Sequence, residues 1–211
     1  MRISYSTAKL WQDGHREKVY QILRGEPVEY GLDQERAFAY GKGLHHAFEM
    51  EANTTHRLPA VFQTTPLLEQ VEIVASELKL YKKLPVPGDH YLVGVLDAVG
   101  IVNWDGNFIV MIIDYKSGKD QPLRQMGVYH YLVDGGVTAD GYNWWDNNIG
   151  NVPPTHGVFM GFVDGVPQNR LIHLTKPKDK QEDIVPEGTT WTMGRDFICS
   201  TVEDISRELE L

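Results

Sequence analysis

Ile112-Ile113-Asp114-Tyr115-Lys116-Ser117-Gly118-Lys119 closes a nearly continuous apolar run that begins at Phe108. A run of that length and content predicts a central strand buried on both faces. Side chains two apart on a strand share a face. Asp114 and Lys116 therefore lie on one side and Tyr115 on the other, just ahead of a glycine turn. Upstream, Gly94-Val95-Leu96-Asp97-Ala98-Val99 sets a second acid inside an apolar strand. Asn103-Trp104-Asp105-Gly106-Asn107, between the two, carries a hairpin signature. On neighbouring antiparallel strands, Asp97, Asp114 and the Lys116 ammonium converge near one point.

Two carboxylates hold a hard divalent cation such as Mg²⁺, which keeps several waters. Such an ion polarises a phosphoryl oxygen and lowers the pKa of a bound water. A lysine beside it stabilises charge developing on phosphorus. Either acid alone reads more simply as a solvated strand-end group. Three such residues on two adjoining strands weigh against that.

Around this hairpin, Glu72 to Lys82 and Tyr91 to Val102 carry the Val, Ile and Tyr content of strands. Residues 6–24 read as a helix stopped by Gly25-Glu26-Pro27. Residues 33–51 read as a second helix, with Phe38, Leu44, Ala47 and Phe48 as its apolar face. Gly41, His45 and Glu49 form one stripe on it. Glycine inside a helix costs about 1 kcal/mol relative to alanine, so Gly41 and Gly43 predict a close approach there. A neutral imidazole at His45 can ligate a metal, or serve as a hydrogen-bonded core group. Pro122 to Val133 reads as a helix with Gln125 and Tyr129 on one face. Asp134 to Pro154, with Gly135-Gly136 and Trp144-Trp145, reads as a long loop. Thr155 to Val163 and Gln168 to Leu174 predict two more strands, and 194–209 a closing helix.

This order predicts an α/β layered fold, a mixed central sheet flanked by helices. It reads as one domain over 1–211, with N-terminal helices in 1–55, a catalytic core over about 64–134 and later strands and a helix in 155–211. Hydrophobic residues make up 42% and charged residues 23% of the 211, which excludes disorder as a description of the whole. The net charge of −9 argues against coating nucleic acid by bulk charge, though not against a local basic groove. One cysteine, Cys199, excludes a disulfide within the chain and a four-cysteine cluster. The apolar runs fall short of a membrane span, and a reducing cytoplasm is the expected compartment.

The ordered set Gly41-x-x-x-His45-x-x-x-Glu49, then Glu77, then Gly94-x-x-Asp97, then Asp114 to Lys119, then Gln125-x-x-x-Tyr129 resembles the RecB-type branch of the PD-(D/E)XK nucleases. Ile3-Ser4-Tyr5-Ser6 before a helix is similar to that family's opening, and the resemblance spans roughly residues 3–133. It implies the restriction-endonuclease-like core and a Mg²⁺- or Mn²⁺-dependent deoxyribonuclease, first of all an exonuclease on single-stranded ends. By the same resemblance His45, Asp97, Asp114 and the Tyr115 carbonyl hold the metal, and Asp97, Asp114, Lys116 and Glu77 are catalytic. The resemblance also implies that Gln125 and Tyr129 contact DNA, and Lys119 and Arg124 are expected beside them as basic contacts to it. Glu72 competes with Glu77 as the upstream acid. Relatives with an iron–sulfur cluster use four cysteines, so no cluster is expected here. No helicase phosphate loop is present, and the chain resembles stand-alone domains of bacteriophages, which act in a host cytoplasm with recombination or replication proteins.

Lys79, Lys82, Lys83, Lys116, Lys119 and Arg124 are the expected local positive surface. Tyr129, Tyr131, Trp144 and Trp145 can stack bases, although core or loop anchoring is the stronger reading of the tryptophans. Two other classes compete: an inactive relative that only binds DNA or a protein, and a sugar- or nucleotide-binding α/β protein. The intact acids weigh against the first, and the missing glycine-rich loop against the second.

Overall fold

The computed structural model describes residues 1–116, 122–150, 152–174 and 190–209, so Lys119, with Ser117 and Gly118, lies outside them. In chain order the elements are β1 (Arg2–Ile3), α1 (Tyr5–Gln12), α2 (Arg16–Arg24), α3 (Leu32–Thr55), α4 (Pro66–Glu69), β2 (Glu72–Lys83), β3 (Tyr91–Trp104) and β4 (Asn107–Lys116). There follow α5 (Leu123–Val133), α6 (Trp144–Asn148), β5 (His156–Val163), β6 (Val166–His173) and α7 (Thr190–Glu208). No helix among the described residues is long and apolar enough to cross a membrane.

The sheet is mixed, and helices flank it. β2–β3, β3–β4 and β5–β6 are antiparallel, while β4–β5 and the short β1–β3 pairing are parallel. β4 therefore sits centrally between β3 and β5, as its apolar run requires. One face carries a core of Leu78, Leu96, Ile112, Leu132 and Phe159 against α5 and α7. The other carries Ile113, Tyr115, Phe48, Phe62 and Met160. There Phe48 of α3 meets Phe62 at 5.0 Å and Tyr115 at 4.9 Å between ring centroids. Each buried aromatic of this kind stabilises by roughly 1.5–3 kcal/mol, which fixes the second half of α3 to the sheet.

Four expectations change. The helix expected over 6–24 divides, because Gly14 adopts φ +83° and ends the first segment. Ser4 caps α1, its Oγ accepting the Thr7 N–H at 3.1 Å. The apolar face expected on α3 is only half used: Phe48 is buried and Leu44 half-buried, whereas Ala47 is exposed and Phe38 is 50% exposed. Residues 31–40 are exposed throughout. The close approach expected at its glycines is missing at Gly43, where a Cβ meets nothing within 4 Å.

The segment 134–154 is not loop throughout. It contains α6, and Val137 exchanges backbone hydrogen bonds with Tyr81. Trp145 is buried there, its Nε1–H donating to the Val152 carbonyl at 2.9 Å, so it anchors the segment. Close approach of helices does occur between α5 and α7, where a Cβ on Gly194 would collide with the Gly127 carbonyl. That contact sets α5, and with it Gln125, at the end of β4.

Candidate metal centre

β2 occupies one edge of β3 from Tyr91 to Ile101. The other edge is shared by β1, at Tyr91 and Leu92, and β4, from Ala98 onward. Between them the ladder is interrupted. The last β3–β4 pair is Ala98–Ile113, and beyond it Asp114, Tyr115 and Lys116 pair only with β5. The Tyr115 N–H, freed from the ladder, donates to Asp97 Oδ2 at 2.6 Å. A backbone donor left unpaired in a buried site is costly, so this bond locks Asp97 to the end of β4. Facing β3 from the other side, Glu77 holds φ +50°, a strained conformation for a non-glycine residue. Both irregularities fall at the same level of the sheet, where the exposed Glu77 and the buried Asp97 offer ligand atoms within 4.8 Å of one another.

Asp114 and Lys116 share a face, as their spacing requires. Lys116 Nζ lies 2.7 Å from Asp114 Oδ2 and donates to Gln125 Oε1 at 2.7 Å. Gln125 Nε2 in turn donates to Asp114 Oδ1 at 3.0 Å and to the Tyr129 hydroxyl at 2.9 Å. Tyr115 points the opposite way, into the aromatic cluster. Burial pushes the Asp114 carboxyl up to about 7, the Asp97 charge pushes the same way, and Lys116 opposes both. Like charges crowded in a dry site are what a divalent cation neutralises.

His45 reaches the gap from α3, its Nδ1 3.6 Å from Asp97 Oδ1. The Asp97 carboxylate beside it raises its pKa, against the effect of burial, and the Tyr115 backbone adds to the rise. His45, Glu77 and Asp97 each offer a ligand atom, and these lie within 4.8 Å of one another. Burial raises the Glu77 carboxyl as well, with Asp97 and Glu49 contributing. Glu72 pairs with Ile101 further along the sheet and stands apart, so of the two acids Glu77 is the one at the centre.

The residues expected at nucleic acid fall differently. Gln125 and Tyr129 share a helix face, but that face turns inward. Tyr129 is 8% exposed, so its ring belongs to the core and its hydroxyl to the Gln125 network. Arg124 is exposed and lies over the Phe197 ring at 4.8 Å. Two lysines of the expected positive surface are engaged elsewhere among the described residues: Lys82 binds Asp134 and stacks on Tyr131, and Lys83 pairs with Asp89. Tyr131, at 2% exposed, is likewise core.

An open hollow of about 570 Å³ adjoins the site instead, lined by Tyr5, Lys9, Lys18, Tyr30, Phe38 and, at its inner end, Lys116 and Gln125. Sequence reasoning missed Lys9, Lys18 and Tyr30. Tyr30 lies in an unstructured connection, and no periodicity marks it. No family model matches this chain, and no curated protein matches it. Among solved structures, the crystal structure of SSO0001 is similar at a TM-score of 0.45 and 13% identity, covering 96% of this chain and 75% of that one. A likeness of that size carries no argument about activity.

Proposed function

We propose that this chain is a divalent-metal-dependent deoxyribonuclease with a core of the restriction-endonuclease-like, RecB type. The observation that carries the reading is the convergence of His45, Glu77 and Asp97 within 4.8 Å of one another at a break in the sheet, with Asp114, which stands outside that trio, and its partner Lys116 on the adjoining strand. The donor set fits Mg²⁺ or Mn²⁺: hard carboxylate oxygens and one imidazole, with no thiolate among them. Asp97, Asp114 and His45 would hold the ion, with the Tyr115 carbonyl and Glu77 adjoining. Bound there, the cation supplies Lewis-acid polarisation of a phosphoryl oxygen and an acidified water.

The chain's own groups do the rest. Asp97 Oδ2 is tied to the Tyr115 N–H, which leaves Oδ1 facing His45. Lys116 holds a positive charge at the inner end of the hollow, where a phosphodiester that has entered from solvent would meet it. Gln125 fixes that ammonium and the Asp114 carboxylate in one geometry through two hydrogen bonds. Preorganised charge of this kind stabilises the transition state without reorganising during the reaction. The purified chain is expected to degrade end-labelled DNA with Mn²⁺ or Mg²⁺ and to stop when a chelator is added. DNA binding without cleavage under these conditions would leave the inactive, binding-module reading in its place.

A further inference from the structure

The first half of α3 carries Leu32, Phe38 and Tyr40 with 73%, 50% and 60% of their surfaces exposed, on an arm that contributes nothing to either core. Phe38 is nonetheless held in place. Its ring meets Tyr30 edge-on, centroids 4.9 Å apart and planes at 88°, and Lys18 Nζ sits 4.9 Å from the Tyr30 centroid. This pair lines two adjoining hollows. One, of about 570 Å³, runs to Lys116 and Gln125. The other, of about 590 Å³, runs to His45 and Glu77. Tyr30 and Phe38 thus stand between two approaches to the same centre.

The charge of the first hollow is opposite to that of the chain. Lys9, Lys18 and Lys116 line it with one acid, Asp13; Asp13 pairs with Lys9 and Asp114, outside the lining, pairs with Lys116, which leaves Lys18 over the Tyr30 ring. In the second hollow Lys42 accompanies Glu49 and Glu77, acids that adjoin the candidate metal centre. Lysines along a path and aromatic rings beside it are the two components of a groove for unpaired nucleic acid. The cations follow the backbone and the rings take the bases, because every base has a π-face. A duplex keeps its bases stacked inside and offers no face to a ring in a side groove.

We infer that Tyr30 and Phe38 form a base-stacking platform for single-stranded DNA, with Lys9 and Lys18 guiding its phosphates toward Lys116. The inference rests on the nuclease reading for what waits at the inner end of the groove, but strand binding is measurable without cleavage. The probe is a fluorescein-labelled thymidine oligonucleotide of about twenty nucleotides, followed by anisotropy in chelator, with a blunt duplex as competitor. Tyr30→Ala and Phe38→Ala are each expected to weaken single-strand binding roughly tenfold or more, and Phe38→Trp to preserve it. The duplex should compete poorly and be indifferent to both changes. Unchanged single-strand binding in both alanine variants overturns the platform. So does an equal loss for duplex, or a loss only of self-association in sedimentation, which would make the arm a protein contact. Cleavage with Mn²⁺, assayed separately, distinguishes the two ideas. Ring-dependent binding without cleavage keeps the platform and removes the nuclease. Cleavage and binding indifferent to the rings keep the nuclease and remove the platform.

Discussion

Asp114→Asn is expected to abolish Mn²⁺-dependent cleavage of DNA while the chain stays folded. The loss should amount to several kcal/mol in the barrier, because one carboxylate fewer weakens both the hold on the cation and its polarising effect. The fold should tolerate the change. Asp114 is 2% exposed, and burial pushes its carboxyl up to about 7, so its charge is costly in the cation-free fold and a neutral amide there is tolerated. Asn has nearly the shape of Asp, and its amide oxygen can accept from one of the two donors there, Lys116 or Gln125. A thermal melt by circular dichroism checks the fold, and end-labelled DNA checks the chemistry. Wild-type cleavage by this variant, with contaminating nuclease excluded, would remove Asp114 from the reaction.

Lys116→Ala should cost rate more than metal. Turnover is expected to fall roughly 10²–10³-fold, the scale of losing one preorganised donor at a site of developing charge. The pairing with Asp114 complicates the reading in a predictable direction. Lys116 holds the Asp114 carboxyl down, so its removal lets that pKa rise further and would weaken metal binding near neutrality. Calorimetry with Mn²⁺ therefore belongs at alkaline pH, above the range where Asp114 titrates, and there the affinity should change little. If the variant loses Mn²⁺ there and yet turns over fully at saturating metal, Lys116 only organises Asp114 and has no part in the reaction.

The hairpin bearing Asp97 and Asp114 was legible because strand periodicity and a turn signature act locally. Two residues apart means one face, and the Lys116–Asp114 pair follows from it. The i, i+4 spacing of Gln125 and Tyr129 was equally legible, but a spacing does not say which way the face turns. The contact between Gly127 and Gly194 decides that, and it joins helices far apart in sequence. The same limit explains α3. Helical periodicity gathers Phe38, Leu44 and Phe48 into one stripe whether or not a partner covers its whole length. Here Phe62, Tyr115 and Phe162 cover only the Phe48 end. The basic surface was the least legible feature. Lys82 is a lysine like any other until Asp134, 52 positions away, engages it. The strained Glu77 has no sequence signal beyond its place opposite Asp97.

The gap between β3 and β4 is expected to hold a divalent cation. A crystal soaked in Mn²⁺ and recorded at an anomalous wavelength tests it most directly. One strong peak is expected between the Asp97 and Asp114 carboxylates, with oxygen distances of about 2.1 Å and His45 as a further ligand. A soak that leaves the gap empty, or that places the ion where neither aspartate touches it, would contradict the account.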